Sequence, residues 1–100
     1  GAAGVARKVL RRVGKKKAYL TFDIDALDPA FAPGTGTPVA GGLTSREALM
    51  ILQALSPVHF VGFDVMEVSP PYDRSEITAI AAAHIAMHCV GLVALRRGTK

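Results

Sequence analysis

Residues 19–42 read YLTFDIDALDPAFAPGTGTPVAGG, and the two halves of the stretch follow different rules. Tyr19, Leu20, Thr21, Phe22 and Ile24 form a short, nearly continuous run of residues with strand propensity. Such a run, Ala18 to Ile24, predicts a strand buried on both faces of a parallel sheet. From Asp25 onward come Asp28-Pro29, Pro33-Gly34, Thr35-Gly36-Thr37-Pro38 and Gly41-Gly42, turn-forming pairs that no helix or central strand tolerates. The predicted loop, Asp25 to Leu43, is long for a compact domain, and loops of that length are usually functional or disordered. It holds no Lys, Glu or Gln, which argues against a solvated linker.

Upstream, Val5, Val9, Leu10 and Val13 fall near helical spacing with Arg7, Lys8, Arg11 and Arg12 between them. Ala3 to Val13 therefore reads as an amphipathic helix, closed by Gly14 and Lys15-Lys16-Lys17. Downstream, Thr44 is a helix N-cap and Glu47, three residues on, completes a capping box. Ala48, Leu49, Ile51, Leu52 and Leu55 give that helix a buried face, and Pro57 marks its stop. Val58 to Val65 reads as a second buried strand. Met66 to Asp73 is a second loop, and Asp73 or Ser75 opens a last helix reaching about Leu95. Helix, strand, loop, helix, strand, loop, helix is a βαβ unit with flanking helices, so the fold class is α/β with a parallel sheet. Two strands do not make a stable doubly wound sheet, so the chain is expected to be one edge or half of a larger one.

The 100 residues allow one small domain, and half of them are hydrophobic, which suits a packed core. The chain starts at Gly1 with no initiator Met, and an internal start is the expectation. Net charge is +4, but seven of the twelve Lys and Arg lie between Arg7 and Lys17. Without aromatic residues interleaved to stack bases, that run reads as a solvated helix face and loop, so neither nucleic acid nor membrane is an expected partner. Cys89 stands alone, which excludes an internal disulfide framework and makes a buried thiol in a reducing cytoplasm the expectation. Ile77 to Leu95 is 19 residues without a charged side chain, near membrane-spanning length. Its alanine-rich first half, with Thr78, His84 and His88, reads instead as a core helix packed on the sheet.

Asp23 and Asp25 sit two apart at a predicted strand end. Alternation would set both carboxylates on one face with Cα atoms roughly 6.5 Å apart. Ligands gather at the carboxyl ends of strands in open α/β sheets, and oxygen donors suit hard ions such as Mg²⁺ or Mn²⁺. Spacing leaves two readings open, a metal pair or one capping aspartate beside one exposed one. Glu67 follows the second strand as Asp23 and Asp25 follow the first, which would bring all three to one rim where an acid could hold a cationic substrate. Asp28 before Pro29 reads as a turn former, Asp64 as a strand acid needing hydrogen-bond partners, and Asp73 as a helix cap. His84 and His88, one helical turn apart, read as partly buried structural histidines, because no Glu lies between them in the metalloprotease pattern. The glycines fit no phosphate-binding spacing.

The run from Tyr19 to Gly42 closely resembles the ureohydrolase family of arginases and agmatinases. The segment Glu67-Val68-Ser69-Pro70-Pro71-Tyr72-Asp73 resembles that family's next motif, and Glu76-Ile77-Thr78-Ala79-Ile80-Ala81 is similar to its agmatinase branch. The resemblance covers almost the whole chain, least distinctively Gly1 to Lys17. It implies the C-terminal part of a three-layer α/β/α parallel-sheet fold, a binuclear Mn²⁺ centre, a small guanidinium substrate, most naturally agmatine, and a homo-oligomer, trimer or hexamer. By motif position, Asp23 would bridge both metals, Asp25 would bind one, Glu67 would pair with the guanidinium and Thr37 would line the pocket beside it. The metals would lower the pKa of a water that attacks the guanidinium carbon. The family's Gly-Gly-Asp-His and Asp-Ala-His-x-Asp motifs are absent from these residues, so the chain alone is expected to hold an incomplete site and to be inactive. A guanidinobutyrase or related amidinohydrolase, a non-catalytic relic serving as an interaction module, and a basic nucleic-acid-binding piece are the alternative readings.

Overall fold

The computed structural model describes residues 1–98, with side chains to residue 95. The chain runs α1 (Ala2–Val13), β1 (Lys17–Asp23), α2 (Ser45–Ala54), β2 (His59–Met66) and α3 (Ile77–Gly98), with short 3-10 turns at Ile24–Ala26 and Pro70–Tyr72. β1 and β2 pair in parallel, with α2 as the crossover. This is the α/β architecture read from the sequence; α3 begins later than expected and continues past Leu95.

Local chemistry sets the element ends. α1 turns its four basic residues to solvent, buries Ala6 and packs Val9, Leu10 and Val13 against the core. Gly14, at φ 60°, ends it and donates to the Leu10 carbonyl at 2.9 Å. The capping box of α2 is complete. Thr44 Oγ1 accepts from the Glu47 amide at 3.0 Å, and Glu47 Oε1 accepts from the Thr44 amide at 2.9 Å.

The core fills the space between one sheet face and the three helices. Ala18, Leu20, Phe22, Phe60, Phe63 and Val65 line that face, against Leu52, Ile85, Cys89 and Leu92 from α2 and α3. The opposite face is open. Tyr19, Val61 and Met66 are exposed there, and β1 alternates exposed and half-buried along its whole length. The doubly buried strand read from the sequence is therefore corrected to a strand with one covered face among the described residues. On the open face the Asp64 carboxylate accepts from the Tyr19 hydroxyl at 3.1 Å and the Thr21 hydroxyl at 2.5 Å, the partners its position called for.

α3 packs on β2 and α2 through Ile85, Cys89 and Leu92, as expected of a core helix. By length and composition Ile77–Leu95 could also cross a membrane. Its other faces leave Ile80, Met87 and Val90 exposed. His88 is held structurally, its Nδ1 2.9 Å from the His84 carbonyl and its Nε2 3.3 Å from Gln53 Nε2. His84 is exposed, not half-buried as expected, because it borders an open groove lined by Phe31, Ser45 and Leu49 and does not pack into the core.

Candidate functional site

Both loops that carry acidic residues leave the same end of the sheet. Asp23 pairs in register with Met66, so Glu67 begins the second loop one residue beyond the position beside Asp23. The rim expected for Asp23, Asp25 and Glu67 is thus formed by parallel pairing.

The route by which Asp23 and Asp25 come together differs from the one spacing suggested. β1 ends at Asp23, and Asp25 lies in the Ile24–Ala26 turn, so strand alternation does not orient it. Asp23 caps that turn instead. Its Oδ1 accepts from the Asp25 amide at 3.0 Å. Between them Ile24 is completely buried, which pins the turn to the core and sends both carboxylates outward. A capping aspartate and a ligand aspartate are compatible here, because a carboxylate has two oxygens. Thr37, twelve residues on, donates its hydroxyl to Asp25 Oδ2 at 2.8 Å. Asp23 Oδ2 and Asp25 Oδ1 take no hydrogen bond among the described residues.

The loop between Asp25 and Leu43 is an ordered lobe tied at its base. Leu27 and Leu43 form an isolated parallel bridge; the Asp28 amide donates to the Leu43 carbonyl at 2.8 Å and the Leu43 amide to the Ala26 carbonyl at 3.0 Å. Gly42 permits this approach, since a Cβ there would lie 2.8 Å from the Ala26 oxygen and the Asp28 nitrogen. Asp28 clamps the lobe from within, Oδ1 accepting from Ala30 and Oδ2 from Gly41, each at 2.9 Å. These amides, Ala30 first and then Gly41, hold its carboxyl below the usual carboxylate range against the opposing effect of burial. Asp28 is the turn former that was expected.

The second loop is held by Asp73. Its Oδ1 accepts from Arg74 and Thr78 and its Oδ2 from Ala79, which caps α3 from a distance. Burial pushes the Asp73 carboxyl up, but the amide and hydroxyl bonds, led by those from Thr78, prevail and keep it low. Glu67 stands at φ 72°, a left-handed conformation uncommon for a residue with a side chain and concentrated at functional sites.

Oxygen-only donors at a strand end suit a hard divalent ion, and the two unclaimed carboxylate oxygens fit such an ion. No group of three or more His, Cys, Asp or Glu side chains that could hold a metal occurs among the described residues.

Sequence reasoning did not find the contact that joins the two loops. The Gly34 amide donates to Thr78 Oγ1 at 2.7 Å, and the Ser69 amide donates to the Gly34 carbonyl at 2.7 Å. The only sequence signal was a lone Thr near the start of an alanine-rich helix. Thr35, next in line, is buried with its hydroxyl unpartnered among the described residues.

The model of the arginase family matches residues 1–91. The chain belongs to the arginase family. Among curated relatives, the agmatinase of Proteus mirabilis is 54% identical over 97 residues, which is 97% of this chain and 32% of that protein. The arginase-family chain thus spans about a third of the length of the curated relatives it matches. A crystal structure of a hypothetical agmatinase from Burkholderia thailandensis superposes with a TM-score of 0.96 at 56% identity, over 100% of this chain and 32% of that one. Proclavaminate amidino hydrolase from Streptomyces clavuligerus superposes with a TM-score of 0.93 at 48% identity, over 96% of this chain and 32% of that one. The fold is accordingly a portion of the arginase and agmatinase fold, and the family's relatives are hydrolases.

Proposed function

We propose that this chain contributes one carboxylate rim of a manganese-dependent active site that hydrolyses agmatine to putrescine and urea. The observation that carries the reading is the Asp23–Asp25–Thr37 cluster at the end of β1, with one free oxygen on each carboxylate and Glu67 leaving β2 at the same rim. The choice of agmatine rests on agmatinase relatives at 52–54% identity.

Within the reading each residue has a distinct task. Asp23 and Asp25 would hold the metal pair, which when bound acts as a Lewis acid and lowers the pKa of water. Asp23 Oδ1 and Asp25 Oδ2 are already engaged by the Asp25 amide and the Thr37 hydroxyl, so each carboxylate is fixed in rotation with its other oxygen available. Thr37 would orient Asp25 as well as border the substrate. Glu67 would face the guanidinium, where a carboxylate offers a planar, bidentate acceptor for its N–H groups. The remaining ligands and the group that protonates the leaving amine would come from outside the described residues. A homo-oligomer in a reducing cytoplasm, with Cys89 as a buried thiol, completes the proposal.

A second reading is favoured by the 48% identity to an amidino hydrolase named for a different substrate. The rim would then serve another guanidino compound, with the substrate tail read elsewhere. Urea release by the protein that carries this chain, with Mn²⁺ and a panel of agmatine, 4-guanidinobutyrate and arginine, separates the two. The highest kcat/KM is expected for agmatine. A higher value for 4-guanidinobutyrate supports the second reading, and no urea from any of them refutes both.

A further inference from the structure

We infer that Thr78, at the start of α3, is a positioning residue that sets the distance between the Thr37 loop and the Glu67 loop. The inference rests on the proposed function for its consequence in substrate binding, but the coupling stands on geometry alone.

Thr78 is completely buried, and its hydroxyl accepts the Gly34 amide at 2.7 Å across 44 residues of sequence. Gly34 turns its carbonyl to the Ser69 amide, also at 2.7 Å. One residue of the first lobe is thereby bonded to the second loop on one side and to α3 on the other. Thr37 lies three residues beyond Gly34, and Glu67 two residues before Ser69, so both proposed substrate contacts hang from this junction.

The junction admits little slack. A Cβ on Gly34 would lie 2.8 Å from Asp73 Cβ, 2.9 Å from Thr78 Oγ1 and 3.0 Å from Asp73 Cα. Asp73 in turn accepts the Thr78 amide at 2.9 Å, which fixes the residue whose hydroxyl holds Gly34. The loop it steadies also contains three non-glycine residues at positive φ, namely Glu67, Ser75 and Glu76. Such conformations persist only where surrounding contacts over-determine them. Asp23 is held by pairing with β2 and the Asp25 backbone by the Asp23 cap, neither through Thr78, while the Thr37 hydroxyl on Asp25 Oδ2 is the one link from the junction to the carboxylate pair. Loss of the Thr78 hydroxyl should therefore weaken substrate binding more than metal binding.

The test compares the unaltered protein that carries this chain with Thr78→Val, which removes the acceptor and keeps the shape, and Thr78→Ser, which restores it. Thr78→Ala replaces Thr78→Val if the latter does not fold. Hydrogen exchange by mass spectrometry over residues 31–37 and 67–73 reads the coupling directly. Both segments should exchange about tenfold faster in Thr78→Val, the factor equivalent to one net hydrogen bond, and return toward the original rate in Thr78→Ser. KM for agmatine should rise about tenfold in Thr78→Val, kcat and bound Mn²⁺ should change much less, and Thr78→Ser should recover KM. Unchanged exchange in both segments overturns the coupling. Faster exchange with unchanged KM, or a loss of activity that only follows loss of fold, overturns the positioning role. No urea from the unaltered protein refutes the function reading, and the exchange rates still decide the coupling.

Discussion

Ile24 offers a sharp test of how the fold builds the site. It lies between Asp23 and Asp25, it is 0% exposed, and it belongs to the core under the sheet end. Ile24→Ala removes three buried carbons, worth about 2.4 kcal/mol at ~0.8 kcal/mol each. The space left behind adds to that loss as far as its lining fails to collapse, and Leu27 beside it is tied by the bridge to Leu43. A total of about 3–4 kcal/mol is expected, within the roughly 2–5 kcal/mol range of such truncations. Ile24→Val should cost about 1 kcal/mol. Urea denaturation of the protein that carries this chain, followed by circular dichroism, measures both. The same variants should lose Mn²⁺ affinity in the same order, since the turn that presents Asp25 is anchored by this side chain. A cost below about 1 kcal/mol for Ile24→Ala would refute the anchoring role, as would full stability loss with unchanged Mn²⁺ binding.

Three further outcomes follow from the same contacts. The Asp28 carboxyl is held below its unfolded value, so its contribution is present above the unfolded pKa, about 4, and disappears as pH falls through the folded value. The stability difference between the unaltered protein and Asp28→Asn should therefore be full at pH 6 and shrink as pH falls below about 4; a difference that does not shrink with falling pH contradicts the clamp. Thr35→Val removes a buried, unpartnered hydroxyl and should stabilise by about 1 kcal/mol in denaturant unfolding, whereas a clear loss would reveal a partner for Thr35. The isolated 100-residue chain, with two carboxylates and no third ligand beside them among the described residues, should neither retain two Mn²⁺ through gel filtration nor release urea from agmatine.

Much of the fold was legible because its signals are local. The amphipathic spacing in α1, the Thr44–Glu47 capping box and the turn pairs after Asp25 each act over a few residues, and each marks an observed element or boundary. That two strands are one edge or half of a larger sheet was legible, but which face of β1 stays open was not. An apolar run such as Ala18 to Ile24 has the same composition whether or not the described residues cover both sides. The aspartate pair was readable as a pair, but not its geometry. Alternation assumes the strand continues through Asp25, whereas the Asp23 side chain competes for the Asp25 amide and ends the strand there. The Gly34–Thr78 bond was invisible for a different reason: its partners are 44 residues apart, and a glycine needed for close approach looks like any loop glycine.

Asp25→Asn in the protein that carries this chain decides whether Asp25 is a metal ligand at a guanidinium-hydrolysing site. Bound manganese per site and urea release from agmatine are determined on the same sample beside the unaltered protein. The unaltered protein should bind two manganese ions, and Asp25→Asn should lose at least one of them together with at least about 100-fold in kcat, the scale of about 2.7 kcal/mol. Full manganese occupancy with undiminished urea release in Asp25→Asn would contradict that role.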